Sequence, residues 1–406
     1  MSILFTPFKL GSLQIENRFV RSATYEAMAT KNGEITESLL KIYEKLASGD
    51  IGLIISGYMN VHPNGRAYKY QTNIYSDDYL PGLLKLTKKV HDYGGQIIFQ
   101  IAHAGMQTTK KVVNGELLAP TGGIRNPITL EKGKSATENQ IEEIIESFKE
   151  GALRSIKAGA DGVQLHAAHT YLLSQFLSPF FNKREDKWGG TAENNFRILR
   201  EIIAKIKKDL PSEKLLLVKY NAEDHVENGL NPPLASKYAK WMMKLGVDGL
   251  EVSGGSGMFS YMNMCRGKVP AEELLEFLPS WKKPVAKSMF KKLIGKFGFE
   301  KPYNLDAAKH IRKEIGKFPL IIVGGMRKVG DMEAIISEKH ADFISLSRPF
   351  IREPHLVKNI RNGEKQVKCI SCNRCLAAIS SNLPVSCYVK KFPLRDEGLK
   401  LREEII

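Results

Sequence analysis

The sequence predicts an α/β chain folded as a (β/α)8 TIM barrel with a short cysteine-rich appendage at its C-terminal end. Three observations carry this expectation. Eight short apolar runs recur along the chain, and unbroken apolar runs of this length suit parallel strands buried on both faces. Amphipathic helical patterns lie between them, and alternation of strand and helix counted to eight is the barrel pattern. No G-x-G-x-x-G turn follows any run, which weighs against a doubly wound dinucleotide-binding sheet.

The first three runs are FVRSA (19–23), GLIIS (52–56) and QIIFQIA (96–102). A helix is predicted over 139–157, where Ile141, Ile144, Ile145, Phe148 and Leu153 fall near helical spacing. GVQLH (162–166) is the fourth run, and a second helix is predicted over 199–210. LLLVKY (215–220) and GLEVS (249–253) follow. A lysine-rich insertion at 282–301 then interrupts the unit between strands six and seven, with Met289, Phe290, Leu293, Ile294 and Phe297 marking an apolar face. Its place after a strand puts it near the mouth of the barrel. LIIVGG (320–325) and FISLS (343–347) complete the count. The barrel is assigned residues 1–363 and the appendage 364–406.

Composition narrows the function. The chain has 60 basic and 44 acidic side chains, a formal charge of +16. The lysines are spread among glutamates along helical segments, which reads as solvated surface rather than a nucleic acid footprint. No run of 18 apolar residues offers a membrane span. The first residues lack the basic and apolar regions of a signal peptide, so the expected location is cytoplasmic. Assembly into a homo-oligomer stays open. Five cysteines, four of them near the C-terminus, suit a metal or cluster site in a reducing compartment better than disulfides.

In a barrel, catalytic residues stand where strands end. Gln100 and His103 end the third run, and Lys219 ends the fifth. Gly324 and Gly325 end the seventh, with Ser347 and Arg348 ending the eighth. Glycines let backbone N–H groups approach a phosphate, and the loops after strands seven and eight are the usual place for one. The fourth run closes with GVQLHAAHTYL, which sets His166, His169 and Tyr171 within six residues. These rings suit an oxyanion grip with a tyrosine proton donor, a metal site with His103, or satisfied structural polar groups. A zinc-dependent hydrolase on the same barrel, using His103, His166 and His169, is the competing enzyme class.

Longer stretches carry a resemblance. FTPFKLGSLQIENRFVRSAT (5–24), GLIISGYMNVHPNGR (52–66), FQIAHAG (99–105), DGVQLHAAHTYLLSQFLSP (161–179), WGGTAENNFR (188–197), IIVGGMR (321–327) and LSRPFIREP (346–354) resemble, in order, the old yellow enzyme family of flavin-dependent ene-reductases. The branch is the bacterial type related to 2,4-dienoyl-CoA reductase, here without a following dinucleotide-binding module. The resemblance implies FMN at the barrel mouth. Ser22, Ala23 and Thr24 would lie along the flavin, Gly57 would stand in the second-strand loop, and Gln100 would bond the pyrimidine part of the ring. Lys219 stands where most members have arginine beside flavin N1 and O2. Gly324, Gly325, Ser347 and Arg348 would hold the phosphate, with Ser347 replacing a glycine. Tyr25 stands near a position the family often fills with cysteine or threonine. The implied reaction passes hydride from NADH or NADPH through FMN to an activated alkene, such as an enone or enoyl thioester. His166 and His169 would grip the substrate oxygen and Tyr171 would donate the proton.

Cys369, Cys372, Cys375 and Cys387 read C-x2-C-x2-C-x11-C. This spacing resembles the cluster motif of dienoyl-CoA reductase and trimethylamine dehydrogenase and implies a [4Fe-4S] cluster. A four-cysteine zinc site and reduced thiols are the alternatives. A cluster would draw its electrons from a separate donor protein or a partner subunit, which would make the chain part of a ferredoxin-linked flavin and iron–sulfur reductase. Cys265 is expected to be a free thiol.

Overall fold

A computed structural model of the protein describes residues 2–299 and 302–405. Its centre is a closed parallel barrel. The strands are β1 (Phe19–Arg21), β2 (Leu53–Ile55), β3 (Ile97–Ala102), β4 (Gly162–Ala167), β5 (Leu215–Asn221), β6 (Gly249–Ser253), β7 (Leu320–Val323) and β8 (Phe343–Leu346). Each pairs in parallel with its sequence neighbours, and β8 pairs with β1 to close the ring. All eight expected runs are therefore strands.

The barrel interior has two zones. Its lower half is apolar: Val20, Leu53, Ile55, Ile98, Leu215, Leu217, Ile321 and Phe343 pack together with Leu10 and Ile15. Those last two belong to an antiparallel N-terminal hairpin, Phe8–Leu10 with Leu13–Ile15, which plugs the bottom. Toward the strand C-termini the inward positions turn polar, with Gln100, Gln164, Lys219, Glu251 and Ser345 all buried. Strand alternation explains this, since every second residue of a barrel strand faces the axis.

The outer layer begins with helices α1 (Glu37–Ala47), α2 (Leu80–His91) and α3 (Glu138–Lys157). Helix α3 starts where Thr137 and Gln140 form a capping box, a device that contributes about 1 kcal/mol. Ile141, Ile144, Ile145 and Phe148 are buried as expected, whereas Leu153 is only partly covered. Helix α4 spans Ala192–Asp209, so it begins seven residues before the expected start. The reason is Thr191, whose side chain accepts from the Asn194 N–H and caps a polar first turn. Helices α5 (Pro232–Lys244), α6 (Leu305–Ile315), α7 (Val329–Ser337) and α8 (Leu356–Arg361) complete the ring.

In the insertion, a helix covers Lys283–Leu293 and buries none of its residues. Phe290, Leu293 and Phe297 are half-buried, but Met289 and Ile294 are exposed, as are Trp281 and Val285. The expected five-residue packing face is thus split. Residues 300 and 301 of the predicted stretch lie outside the described residues.

The appendage folds back over the barrel mouth. Asn373 donates to the carbonyls of Cys265 and Lys268 at 2.9 and 3.0 Å. Arg374 pairs with Glu273 at 2.6 Å. Val385 N–H donates to the Glu26 carbonyl at 2.8 Å, and the Arg402 guanidinium lies 4.0 Å over the Tyr70 ring. Val367 and Val385 join the main hydrophobic core. Among the described residues no helix is long and apolar enough to cross a membrane.

Candidate active site at the barrel mouth

One cavity, with a volume of about 190 Å³, opens at the C-terminal ends of the strands. Ser22, Ala23, Thr24, Gln100, His166, His169, Tyr171, Lys219, Gly324, Gly325, Ser347 and Arg348 all line it. Twelve positions from six strand ends thus meet on one rim. Gly57 does not. Its N–H donates to Tyr43 Oη at 2.8 Å, and a Cβ there would lie 2.0 Å from Glu26 Oε2. Its place is a buried structural cluster in which Arg21 pairs with Glu26 at 2.8 Å.

The histidine wall is built by an unusual loop. His169 and Thr170 both take left-handed backbone conformations, with φ of 60° and 64°. That is costly, above all for a β-branched residue. Local bonds offset the cost. The His169 N–H donates to Asn221 Oδ1 at 3.1 Å, and Thr170 Oγ1 accepts from the Gly257 N–H at 2.8 Å. The turn brings the two imidazoles together at 5.2 Å between ring centres. His169 Nε2 lies 2.7 Å from Ser253 Oγ. His166 Nδ1 is buried with no partner, an orphan that a ligand can satisfy. Burial, then the neighbouring charges of His169 and Lys219, push the His166 pKa well below its usual value. Burial and Lys219 do the same to His169. Both rings are therefore neutral near pH 7, and a neutral ring offers one N–H donor.

Tyr171 closes this wall. Its ring centre is 4.7 Å from that of His166, and its hydroxyl donates to Tyr58 Oη at 2.8 Å. Burial raises its pKa well above the ordinary phenol value, so the proton stays on. Tyr58, Tyr25, Tyr68 and Tyr261 add aromatic surface at this end, and the Tyr25 and Tyr68 rings stack at 4.9 Å. Leu376, Ile379 and Ser380 of the appendage line the cavity too. Sequence reasoning missed Tyr58, Tyr68 and the appendage residues, because they lie in loops whose path only the tertiary fold sets.

The floor is a hydrogen-bonded network. Lys219 Nζ donates to Ser22 Oγ at 2.7 Å and pairs with Glu251 Oε1 at 3.2 Å. Gln100 Nε2 donates to Gln164 Oε1 at 2.6 Å. At the other end Gly324 and Gly325 have φ of 110° and 86°. A Cβ on Gly324 would lie 2.5 Å from the Tyr303 ring, so glycine is required there. Thr24 Oγ1 and Ser347 Oγ are 2.8 Å apart. Arg348 lines the cavity, and its guanidinium donates to the Arg266 carbonyl at 2.9 Å and to Asn373, tying β8 to the cysteine segment.

His103 is not part of this wall. Its Nδ1 accepts from the Gly105 N–H at 3.0 Å, and its ring stacks on His62 at 5.9 Å. Burial, then His62, lowers its pKa to about 3. Among the described residues no group of three or more His, Cys, Asp or Glu side chains is placed to hold a metal ion, so the zinc-hydrolase alternative has no ligand set. Cys369, Cys372, Cys375 and Cys387 line a second, small cavity with Arg348 and Tyr388, and Cys369 also lines the first. Burial pushes the Cys375 thiol up to about 12, against the pull of Arg348.

A mouth cavity with a polar floor, glycines at its far end and a His–His–Tyr wall is the kind of site a flavin-dependent oxidoreductase barrel uses. Residues 3–272 match the NADH:flavin oxidoreductase / NADH oxidase family, and the chain belongs to that family. It is 32% identical over 393 residues to the NADH oxidase of Thermoanaerobacter brockii, covering 95% of this chain and 55% of that protein. It is 33% identical over 358 residues to the NADPH dehydrogenase of Halalkalibacterium halodurans, covering 87% of this chain and 92% of that protein. The solved 2-naphthoyl-CoA reductase complex with 2-naphthoyl-CoA superposes with a TM-score of 0.83 at 23% identity, over 99% of this chain and 58% of that one. The chain spans little more than half the length of some of these relatives. FMN is the family's cofactor, and the cavity fits it. The Gln100 and Lys219 side chains at the floor and the left-handed glycines Gly324 and Gly325 have the chemistry to hold a flavin ring and a phosphate.

Proposed function

We propose that the protein is an NAD(P)H-dependent ene-reductase acting on a double bond conjugated to a carbonyl or thioester. FMN, when bound, supplies the two-electron chemistry between nicotinamide and alkene. The protein residues do the rest. Neutral His166 and His169 donate N–H groups to the substrate oxygen and stabilise the negative charge that develops on it. Tyr171 gives its phenol proton to the α-carbon. Ser22, Ala23, Thr24, Gln100 and Lys219 form the bed of the flavin ring, and Gly324, Gly325, Ser347 and Arg348 form the phosphate end. Convergence of the three rings on one wall of the cavity is the observation that carries this reading. His166→Ala with His169→Ala is expected to keep FMN and to weaken phenol ligands at least tenfold. Unchanged phenol affinity would refute the oxyanion grip.

The cysteines extend the proposal. Three cysteines within seven residues and a fourth later, all lining one small cavity, suit a [4Fe-4S] cubane better than a zinc ion, which usually takes two separated pairs. Such a cluster suits a reducing cytoplasm, and its electrons would come from a donor protein or a partner subunit. Anaerobic preparations are expected to hold about four iron and four sulfide per chain. An iron-free protein with full FMN and full activity contradicts this.

A further inference from the structure

Directly beneath the cavity floor lies a carboxylate that the flavin reading leaves without a role. Glu251 is 0% exposed and faces the barrel axis from β6. It does not line the cavity, but it touches what does. Its Oε1 accepts from Ser22 Oγ at 2.7 Å and Ser345 Oγ at 2.8 Å. Its Oε2 accepts from Gln164 Nε2 at 2.9 Å. Lys219, only 3% exposed, is its ion partner at 3.2 Å and its register neighbour across the sheet. A charge buried this deeply persists only when paired and hydrogen-bonded, and every one of those conditions is met. Burial pushes the Glu251 carboxyl up, but Lys219 and the hydroxyl and amide donors outweigh it and leave the net shift downward. The group is ionised.

The pair changes what Lys219 does. A single cation at the floor would favour electron-rich, anionic forms of a bound flavin. A cation with a carboxylate 3.2 Å behind it presents a dipole with no net charge, and its pull at the ring is much reduced. Ser22 is shared by both members, since it accepts from Lys219 and donates to Glu251, so the ammonium is fixed in place as well as neutralised. We infer that Glu251 is a positioning residue that holds Lys219 as a neutral pair under the flavin, lowering the flavin's reduction potential and weakening anionic flavin adducts. This rests on the FMN reading of the cavity.

The test uses the FMN-loaded protein and two equilibrium readouts that do not depend on turnover. Glu251→Gln keeps the shape and leaves Lys219 unbalanced. It is expected to tighten the sulfite adduct of the flavin, read by bleaching of its visible absorbance, at least tenfold. It should also shift the oxidised-to-reduced equilibrium against a reference dye by at least tenfold toward reduced, about 30 mV for a two-electron couple. The double variant Lys219→Met with Glu251→Gln removes both charges and is less exposed to misfolding, because replacing a buried pair as a unit is tolerated better than breaking it. Its oxidised-to-reduced equilibrium against the dye and its sulfite affinity are expected within threefold of the wild type. A single variant that binds FMN with unchanged potential and sulfite affinity overturns the inference. So does a double variant whose oxidised-to-reduced equilibrium shifts tenfold or more toward oxidised, because Lys219 would then act as an unbalanced cation. A wild-type protein that binds no FMN at all overturns the cavity reading and, with it, this inference.

Discussion

Tyr171→Phe isolates proton donation more sharply than any other single change. It removes one oxygen from a wall that otherwise stays in place. The lost group is buried, lies beside His166 at 4.7 Å between ring centres and donates to Tyr58 Oη at 2.8 Å. The structural cost is one neutral hydrogen bond and one orphaned hydroxyl, together about 1–3 kcal/mol, well short of unfolding a barrel of this size. The catalytic cost is larger. General acid catalysis contributes about 10²–10⁴-fold, equal to about 2.7–5.4 kcal/mol of barrier. Rapid-mixing spectroscopy separates the half-reactions. Reoxidation of reduced FMN by an enone should slow by that factor, while reduction of FMN by NADPH or NADH should change less than twofold. Because burial holds the phenol pKa well above its ordinary value, the wild-type rate should show no loss of this acid up to pH 9. Equal losses in both half-reactions would refute the assignment and point to a packing role.

Other expectations follow from single features. Gly324→Ala forces a Cβ to 2.5 Å from the Tyr303 ring at a φ of 110°; FMN affinity, read by flavin fluorescence, should fall at least tenfold, and unchanged affinity would remove Gly324 from the phosphate end. His103 has its pKa lowered to about 3 by burial, so its contribution to stability is present above the unfolded value of about 6.5 and is lost as pH falls toward 3. Unfolding titrations should therefore show His103→Asn losing about 3 kcal/mol less than wild type between pH 7 and pH 4; parallel curves would contradict this. Changing Lys287, Lys291 and Lys292 to glutamine on the exposed insertion helix should raise KM for a CoA thioester at low salt and not at high salt; a salt-independent KM would leave that helix as solvated surface.

The barrel was legible because parallel strands buried on both faces leave unbroken apolar runs, and every run from Phe19 to Leu346 became a strand. Strand ends were legible for the same reason, which placed His166, Tyr171, Lys219 and Gly324 on one rim. Features set by distant contacts were not. Thr191 starts α4 through a cap that apolar periodicity does not register. Gly57 belongs to the Glu26–Tyr43 cluster, which no local pattern reveals. The appendage reads as a separate tail until Asn373, Val385 and Arg402 dock it on the barrel and its residues enter the cavity. Glu251 left a usable signal: a carboxylate inside the run GLEVS must find a partner if the run is a buried strand.

The central claim is a flavin site that passes hydride from a nicotinamide to an activated alkene, and one anaerobic titration tests it. The purified protein, incubated with FMN and desalted, should keep one flavin per chain with visible absorbance. NADH or NADPH should bleach that absorbance, and an enone or enoyl thioester added without oxygen should restore it in a stoichiometric amount. A protein that keeps no flavin, or one whose reduced flavin no activated alkene reoxidises, would contradict the account.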